Sequence, residues 1–136
     1  MKDRIIFITG ATSGIGEGCA RKFASMGSKL ILNGRNSEKL SSLKRELEEQ
    51  GCMVTTLEFD VRDRAAMKKA VDSLSGEWKN IDVLINNAGL VIGMDKEHEG
   101  NLDEWDIVID TNIKGLLSMT RMIVPGMIER GRGHII

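Results

Sequence analysis

The stretch TGATSGIGEG, Thr9 to Gly18, stands between the apolar run Ile5-Ile6-Phe7-Ile8 and a segment in which Ile15, Cys19 and Phe23 recur every fourth residue, with Ala20 and Ala24 beside them. A short continuous apolar run reads as a strand buried on both faces. The four-residue recurrence reads as a helix over residues 14 to 26, ended by Gly27. Strand, glycine loop and helix in that order form the setting a dinucleotide loop requires. In such a loop Gly10 permits the tight turn, Gly14 lets backbone approach a pyrophosphate, and Gly16 lets the helix pack close to the sheet. The N–H groups at the helix start then face the phosphates, and the helix dipole favours their negative charge. Glycines at strand-to-helix turns also serve structure alone, so the loop by itself leaves that reading open. Its spacing is G-x-x-x-G-x-G, and no Lys follows the last glycine, which weighs against a P-loop.

Working outward, the chain keeps alternating strands with amphipathic helices, without a linker, repeat or low-complexity block. Leu30-Ile31-Leu32 is a second strand, Leu40, Leu43 and Leu47 space a second helix that Gly51 closes, and Val54 to Phe59 form a third strand. Met67, Ala70, Val71 and Leu74 mark a third helix, and Ile81 to Ile85 a fourth strand. A long helix, 102–130, follows, with Asn101 as its cap, Glu104 as partner in a capping-box-like pair, and Pro125 as a kink. His134-Ile135-Ile136 reads as the opening of a buried fifth strand. Apolar strands separated by helices predict a parallel sheet covered on both faces, and right-handed crossovers make it doubly wound: an α/β Rossmann fold. The expectation is one NAD(P)-binding domain over 1–136, incomplete and truncated at the start of the fifth strand.

Composition bounds the function. With 41% hydrophobic and 29% charged residues over 136, the chain reads as one soluble globular domain. A net charge of −1 gives no field for nucleic acid or anionic lipid. No run approaches the ~18 apolar residues of a membrane span, so a cytoplasmic address is expected. Cys19 and Cys52 could pair, but no framework of spacings surrounds them, and they read as free thiols. Met94 to Gly100, MDKEHEG, gathers Asp95, Glu97, His98 and Glu99, which read as a solvated loop rather than a metal site. Met119, Met122 and Met127 on the long helix read as core or interface filling.

Two polar positions carry more information. The second strand ends in LNGRN, Leu32 to Asn36, without the carboxylate that would hold ribose hydroxyls. A carboxylate at Gly34 would repel a 2′-phosphate, whereas Arg35 offers a planar, permanently charged fork to one, which predicts NADP over NAD. A solvated Arg in a turn is the alternative. Asn112 falls in the middle of the long helix, where Asn competes for backbone hydrogen bonds. Either something compensates it or an exposed Asn is simply tolerated there.

These residues together resemble the short-chain dehydrogenase/reductase (SDR) family. Thr9-Gly10-Ala11-Thr12-Ser13-Gly14-Ile15-Gly16 matches its TGxxxGIG loop, and NNAG, Asn86 to Gly89, its signature after the fourth strand. FDV, Phe59 to Val61, matches its acidic position after the third strand, and Asn112 in DTNIKG its catalytic asparagine. The resemblance implies a cofactor held by the loop residues Gly10, Thr12, Ser13, Gly14, Ile15 and Gly16, by Arg35 and Asn36, by the Asp60 carboxylate and Val61 backbone at the adenine, and by Asn87, Ala88 and Gly89 along the ribose and nicotinamide. Taken alone, Asp60 could be a turn or capping residue, and Asn87 to Gly89 a turn after a strand. The family's helix asparagine holds a water that links a catalytic lysine to solvent, a role that would fall to Asn112.

A closer similarity is to the family's NADP-dependent dehydrogenases of serine and other 3-hydroxy acids, carried by EWKNIDVLINNAGLVIGMD and by the segment from Asp103 to Ile136. It implies hydride transfer between NADP(H) and a small hydroxy or keto substrate. In the family a Tyr acts as acid/base, a Lys lowers its pKa and a Ser steadies the substrate oxygen, at places falling after Ile136. This sequence contains no Tyr. General acid–base catalysis contributes roughly 10²- to 10⁴-fold, so the chain alone is expected to bind cofactor without turnover. A homo-oligomer, or self-association through the long helix and an exposed sheet edge, is expected as partner. A stand-alone NADP-binding module with a regulatory or scaffolding role is the alternative.

Overall fold

Residues on alternate sides of each strand feed two cores, one on each face of a single parallel sheet. The computed structural model describes all residues from Met1 to Ile136. Its elements are β1 (Ile5–Ile8), α1 (Gly14–Ser25), β2 (Lys29–Gly34), α2 (Ser37–Glu49), β3 (Val54–Glu58), α3 (Arg64–Asp72), β4 (Val83–Ile85), α4 (Leu102–Ile109), α5 (Leu116–Glu129) and β5 (His134–Ile135). Single-turn 3₁₀ segments occur at Gly76–Lys79 and Glu97–Glu99. Strand order is β3-β2-β1-β4-β5, all parallel, with Phe7 of β1 opposite Ile31 on one side and Leu84 on the other.

Ile5 and Phe7 of β1 join Ile31, Leu57 and Leu84 under α3 and α5, where Met67, Met119, Ile123 and Met127 complete the packing. Ile6 and Ile8 point the other way, into Leu30, Leu32, Val54, Val83 and Ile85, covered by Ala20 of α1 and by Leu40, Leu43 and Leu47 of α2. The i, i+3, i+7 spacing of those leucines is the reason α2 presents one face to the sheet. Order reverses at β1: the chain winds outward through β2 and β3, then crosses back to β4. This leaves a crevice outside the carboxyl ends of β1 and β4, the place where open α/β sheets receive ligands.

Several expectations change here. Ile15 is not on the buried face of α1 but 80% exposed; Gly16 and Ala20 carry the contact, with Cys19 and Phe23 half-buried beside them. The helix predicted over 102–130 is interrupted: Asp110–Gly115 forms a π-helical stretch between α4 and α5. Pro125, by contrast, lies inside α5, which continues past it to Glu129. Asn101 caps α4 by accepting from the Asp103 N–H at 2.9 Å, but Glu104 returns no bond to Asn101 and stands against Gly93 instead. His134 and Ile135 pair with β4 yet stay exposed, because β5 is an edge strand and no element covers its outer side. Cys19 and Cys52 are free, and the Cys52 thiol donates to the Ser28 carbonyl at 3.2 Å. The acidic loop stands exposed around His98, and no helix is long and apolar enough to cross a membrane.

Candidate functional site

The crevice is a cleft of about 300 Å³ built from the turns that leave β1, β2, β3 and β4. Gly10, Thr12, Ser13 and Ile15 line it from the first turn, Asn33 to Arg35 from the second, Phe59 to Val61 from the third, Asn87 to Leu90 from the fourth, and Thr111 from the π-helical stretch.

The first turn works by close approach. Gly10 takes a left-handed φ of 64°, and a Cβ there would lie 2.9 Å from the Ala88 Cα, so the turn presses against the backbone after β4. A Cβ on Gly16 would overlap both the Gly10 carbonyl oxygen and Asn87 Nδ2, which lets the start of α1 fold over its own loop. Gly14 opens α1 with nothing within 4 Å of where a Cβ would stand, leaving that side of the loop free. Ser13, in extended conformation at the N-cap, makes no side-chain capping bond. The first N–H groups of a 12-residue helix therefore meet an open cleft, and unpaired helix-start donors with the positive end of the dipole form an anion site.

The loop is locked to the β4 turn through two residues. Asn87 Nδ2 donates to the carbonyls of Thr9 and Gly10, both at 3.0 Å. Thr9, almost fully buried, donates through Oγ1 to the Ile85 carbonyl at 3.3 Å and accepts from the Ala88 N–H at 3.0 Å. Gly89 and Leu90 are held from the other side by Asn112, whose Oδ1 accepts from the Leu90 N–H at 2.9 Å while its Nδ2 donates to the Leu90 carbonyl at 2.8 Å. Asn112 itself does not line the cleft; it fixes the loop that does. This pairing supplies the compensation that a mid-helix Asn requires, and it falls in the π-helical stretch, a distortion frequent at functional sites.

At the far end stand the charged groups. Asp60 accepts from the Arg62 N–H at 2.9 Å, from Arg62 Nε at 3.0 and 3.1 Å, and from Arg62 Nη2 at 2.7 Å. Arg35 Nη1 lies 3.6 Å from Asp60 Oδ2, with the Arg35 side chain 64% exposed. The Arg62 fork holds the Asp60 carboxyl below its ordinary range against the opposing effect of partial burial, with the Arg62 N–H and the charges of both arginines adding to the drop. Between them, a Cβ at Gly34 would sit 2.7 Å from Thr12 Cγ2, so a side chain there would press on the loop.

Of the predicted residues, Gly10, Thr12, Ser13, Ile15, Arg35, Asp60, Val61, Asn87, Ala88 and Gly89 meet in the cleft. Gly14 and Gly16 shape it from behind, and Asn36 does not reach it: its Oδ1 caps α2 by accepting from the Lys39 N–H at 2.9 Å. Sequence reasoning passed over Thr9, Asn33 and Arg62. Asn33, buried at the end of β2, donates to the Leu57 and Phe59 carbonyls at 3.1 and 3.0 Å and so fixes the turn that carries Asp60. Its signal was a polar residue closing an apolar strand, a place where burial demands partners.

A family model described as short chain dehydrogenase matches residues 4–136. An NADP-dependent 3-hydroxy acid dehydrogenase of Salmonella typhi is 50% identical over 132 residues, 97% of this chain and 52% of that protein. The crystal structure of serine dehydrogenase from Escherichia coli superposes with a TM-score of 0.88 at 47% identity, covering 96% of this chain and 59% of that one. The closed form of serine dehydrogenase complexed with NADP+ gives 0.89 at 48% identity, over 96% and 52%. The chain spans about half the length of the curated relatives it matches.

Proposed function

Because the chain belongs to the short-chain dehydrogenase family, we propose that residues 1–136 form the NADP-binding domain of an oxidoreductase that acts on a small hydroxy or keto substrate. The observation that carries this is the pairing of an open helix start at Ser13 to Ile15 with Arg35 at the far end of the same cleft, beside a Gly34 that brings no carboxylate to repel a 2′-phosphate. The relatives' names, NADP-dependent 3-hydroxy acid dehydrogenase and serine dehydrogenase, support NADP and a 3-hydroxy acid such as serine.

The residues fit that cofactor in chemistry and in shape. Backbone N–H groups from Thr12 to Gly16 receive the pyrophosphate, Arg35 receives the 2′-phosphate, Asp60 and the Val61 backbone face the adenine, and Asn87 to Gly89 follow the ribose toward the nicotinamide. When bound, the nicotinamide supplies a hydride acceptor or donor for a carbinol or carbonyl carbon. The chain's own contribution is placement: Asn112 sets Leu90, and with it Gly89, at the wall of the cleft that would hold the nicotinamide. Asn112 also sits where the family's asparagine holds a water in its proton path.

The sequence holds no Tyr, so the acid/base step of the family is not supplied within these residues, and the chain alone binds cofactor without turning over substrate. Self-association is the remaining element: Leu102, Trp105, Ile109, Ile113 and Leu117 lie exposed at three- and four-residue spacing along the α4–α5 run, a stripe suited to a second copy.

Equilibrium titration separates these statements. The dissociation constant for NADP+ is expected to lie below that for NAD+, and Arg35→Ala to remove most of the difference. A wild-type preference for NAD+ would overturn the assignment, and oxidation of serine or another 3-hydroxy acid by the purified chain would overturn the statement on turnover.

A further inference from the structure

Asp60 and Arg35 pose a problem for each other. A guanidinium that is to grip a ligand phosphate stands within ion-pair distance of a carboxylate, and a carboxylate with free lone pairs would capture it. Capture does not occur: at 3.6 Å, Arg35 Nη1 remains outside hydrogen-bond distance of Asp60 Oδ2. The reason lies on the other side of Asp60. Its Oδ1 already accepts from the Arg62 N–H and Nε, and its Oδ2 from Arg62 Nε and Nη2, at 2.7 to 3.1 Å. Both oxygens are engaged by one residue, the single Nε–H shared between them, so that backbone and side chain close on the carboxylate together. The Arg62 side chain is half as exposed as that of Arg35, 34% against 64%, and does not line the cleft, so its fork faces Asp60 and not the ligand.

We propose that Arg62 is a positioning residue for cofactor discrimination: by engaging both oxygens of Asp60 it keeps Arg35 from being captured and leaves that fork free for the 2′-phosphate. The inference rests on the NADP reading above. The depressed pKa of Asp60 accords with it, since a carboxylate saturated by donors stays ionised and oriented.

The test is the ratio of NADP+ to NAD+ affinity, measured by equilibrium titration on the full chain, because a general loss of adenine contacts changes both constants and cancels in the ratio. In Arg62→Ala, Asp60 turns to Arg35, and the ratio is expected to fall by about fivefold, the upper end of what one partly exposed ion pair is worth. Arg62→Lys, which keeps the charge but not the fork, is expected to fall between wild type and Arg62→Ala and serves if the alanine variant does not fold. The discriminating variant is the double substitution Asp60→Asn with Arg62→Ala: with the competing charge gone, the ratio is expected to return to that of Asp60→Asn alone. A ratio unchanged in Arg62→Ala and Arg62→Lys overturns the proposal, as does a loss that persists in the double variant, which would mean that Arg62 meets the phosphate directly. Arg35→Ala separates the two layers. If it leaves the ratio unchanged, the assignment of Arg35 fails and the proposal with it; if it lowers the ratio while Arg62→Ala does not, only the role of Arg62 fails.

Discussion

Gly16→Ala and Gly18→Ala make the same chemical change two residues apart, and the geometry of the loop predicts opposite signs. At Gly16 the new methyl group would overlap the Gly10 carbonyl oxygen and Asn87 Nδ2 and lie 3.0 Å from the Gly10 carbonyl carbon. Backbone cannot yield as a side-chain tip does, so the amide of Asn87 moves and its bonds to the Thr9 and Gly10 carbonyls are lost. At about 1 kcal/mol each, those two bonds cost about 2 kcal/mol. Residual overpacking adds about 1–3 kcal/mol. The better helix propensity of Ala returns at most about 1 kcal/mol, giving a net loss of roughly 2–4 kcal/mol. Gly18 is exposed, with nothing within 4 Å of where a Cβ would stand, so there only the propensity gain remains, up to about 1 kcal/mol of stabilisation. Urea unfolding followed by far-ultraviolet circular dichroism reads both, with a lower midpoint for the first and a higher one for the second. If Gly16→Ala were neutral or stabilising, the locking of the loop to Asn87 would be wrong.

Three further outcomes follow from the same geometry. Asn112→Ala removes both bonds to Leu90, so hydrogen exchange at the Leu90 amide should accelerate by roughly 10- to 30-fold, the equivalent of about 1–2 kcal/mol, and an unchanged rate would deny the anchoring role. Asp60 has a folded pKa below its unfolded one, so its contribution to stability is present above the ordinary carboxylate pKa and is lost as pH falls through the depressed value. Between about pH 4 and that lower value the urea midpoint of the wild type should therefore fall more steeply than that of Asp60→Asn, and parallel slopes would contradict it. Burial pushes the Cys52 thiol above its usual range, while Cys19 is half-buried, so iodoacetamide should modify Cys19 first at pH 8; faster labelling of Cys52 would count against the packing under β2 and β3.

What the sequence made legible was set by local pattern. Continuous apolar strands and leucines at i, i+3, i+7 need no distant partner to be recognised, so the element order, the parallel sheet and the glycine loop could be read directly. The residues it misplaced are those decided by contacts far along the chain. Asn112 was visible as an anomaly, but its partner Leu90 lies 22 residues away, and the π-helical stretch around it has no local signature. Ile15 fits a helical stripe in sequence, yet the first turn of α1 overhangs the cleft, and that position turns outward. Glu104 has capping-box spacing, but Gly93 stands where it reaches. Asn36 stands next to Arg35, and its side chain is already committed to the α2 cap. Ile135 reads as core because it is apolar, and exposure on an edge strand is a property of topology rather than of residue type. Of the residues that line or shape the cleft, the glycine loop and Arg35 were legible by type and spacing, and Asp60 and Asn87 only through the family resemblance. Thr9, Asn33 and Arg62, which hold those groups in place, were not.

The central claim, that the cleft at the β1/β4 reversal receives NADP, is tested most directly by an amide ¹H–¹⁵N spectrum of the full chain titrated with NADP+. Saturable shifts are predicted at Gly10, Ser13 to Gly16, Arg35, Asp60, Val61 and Asn87 to Leu90. NAD+ should shift the same set more weakly, with the greatest deficit at Arg35. A contradictory result would be no saturable change in those amides, or shifts confined to the cationic groove of Arg64, Lys68, Lys114 and Arg121 between α3 and α5.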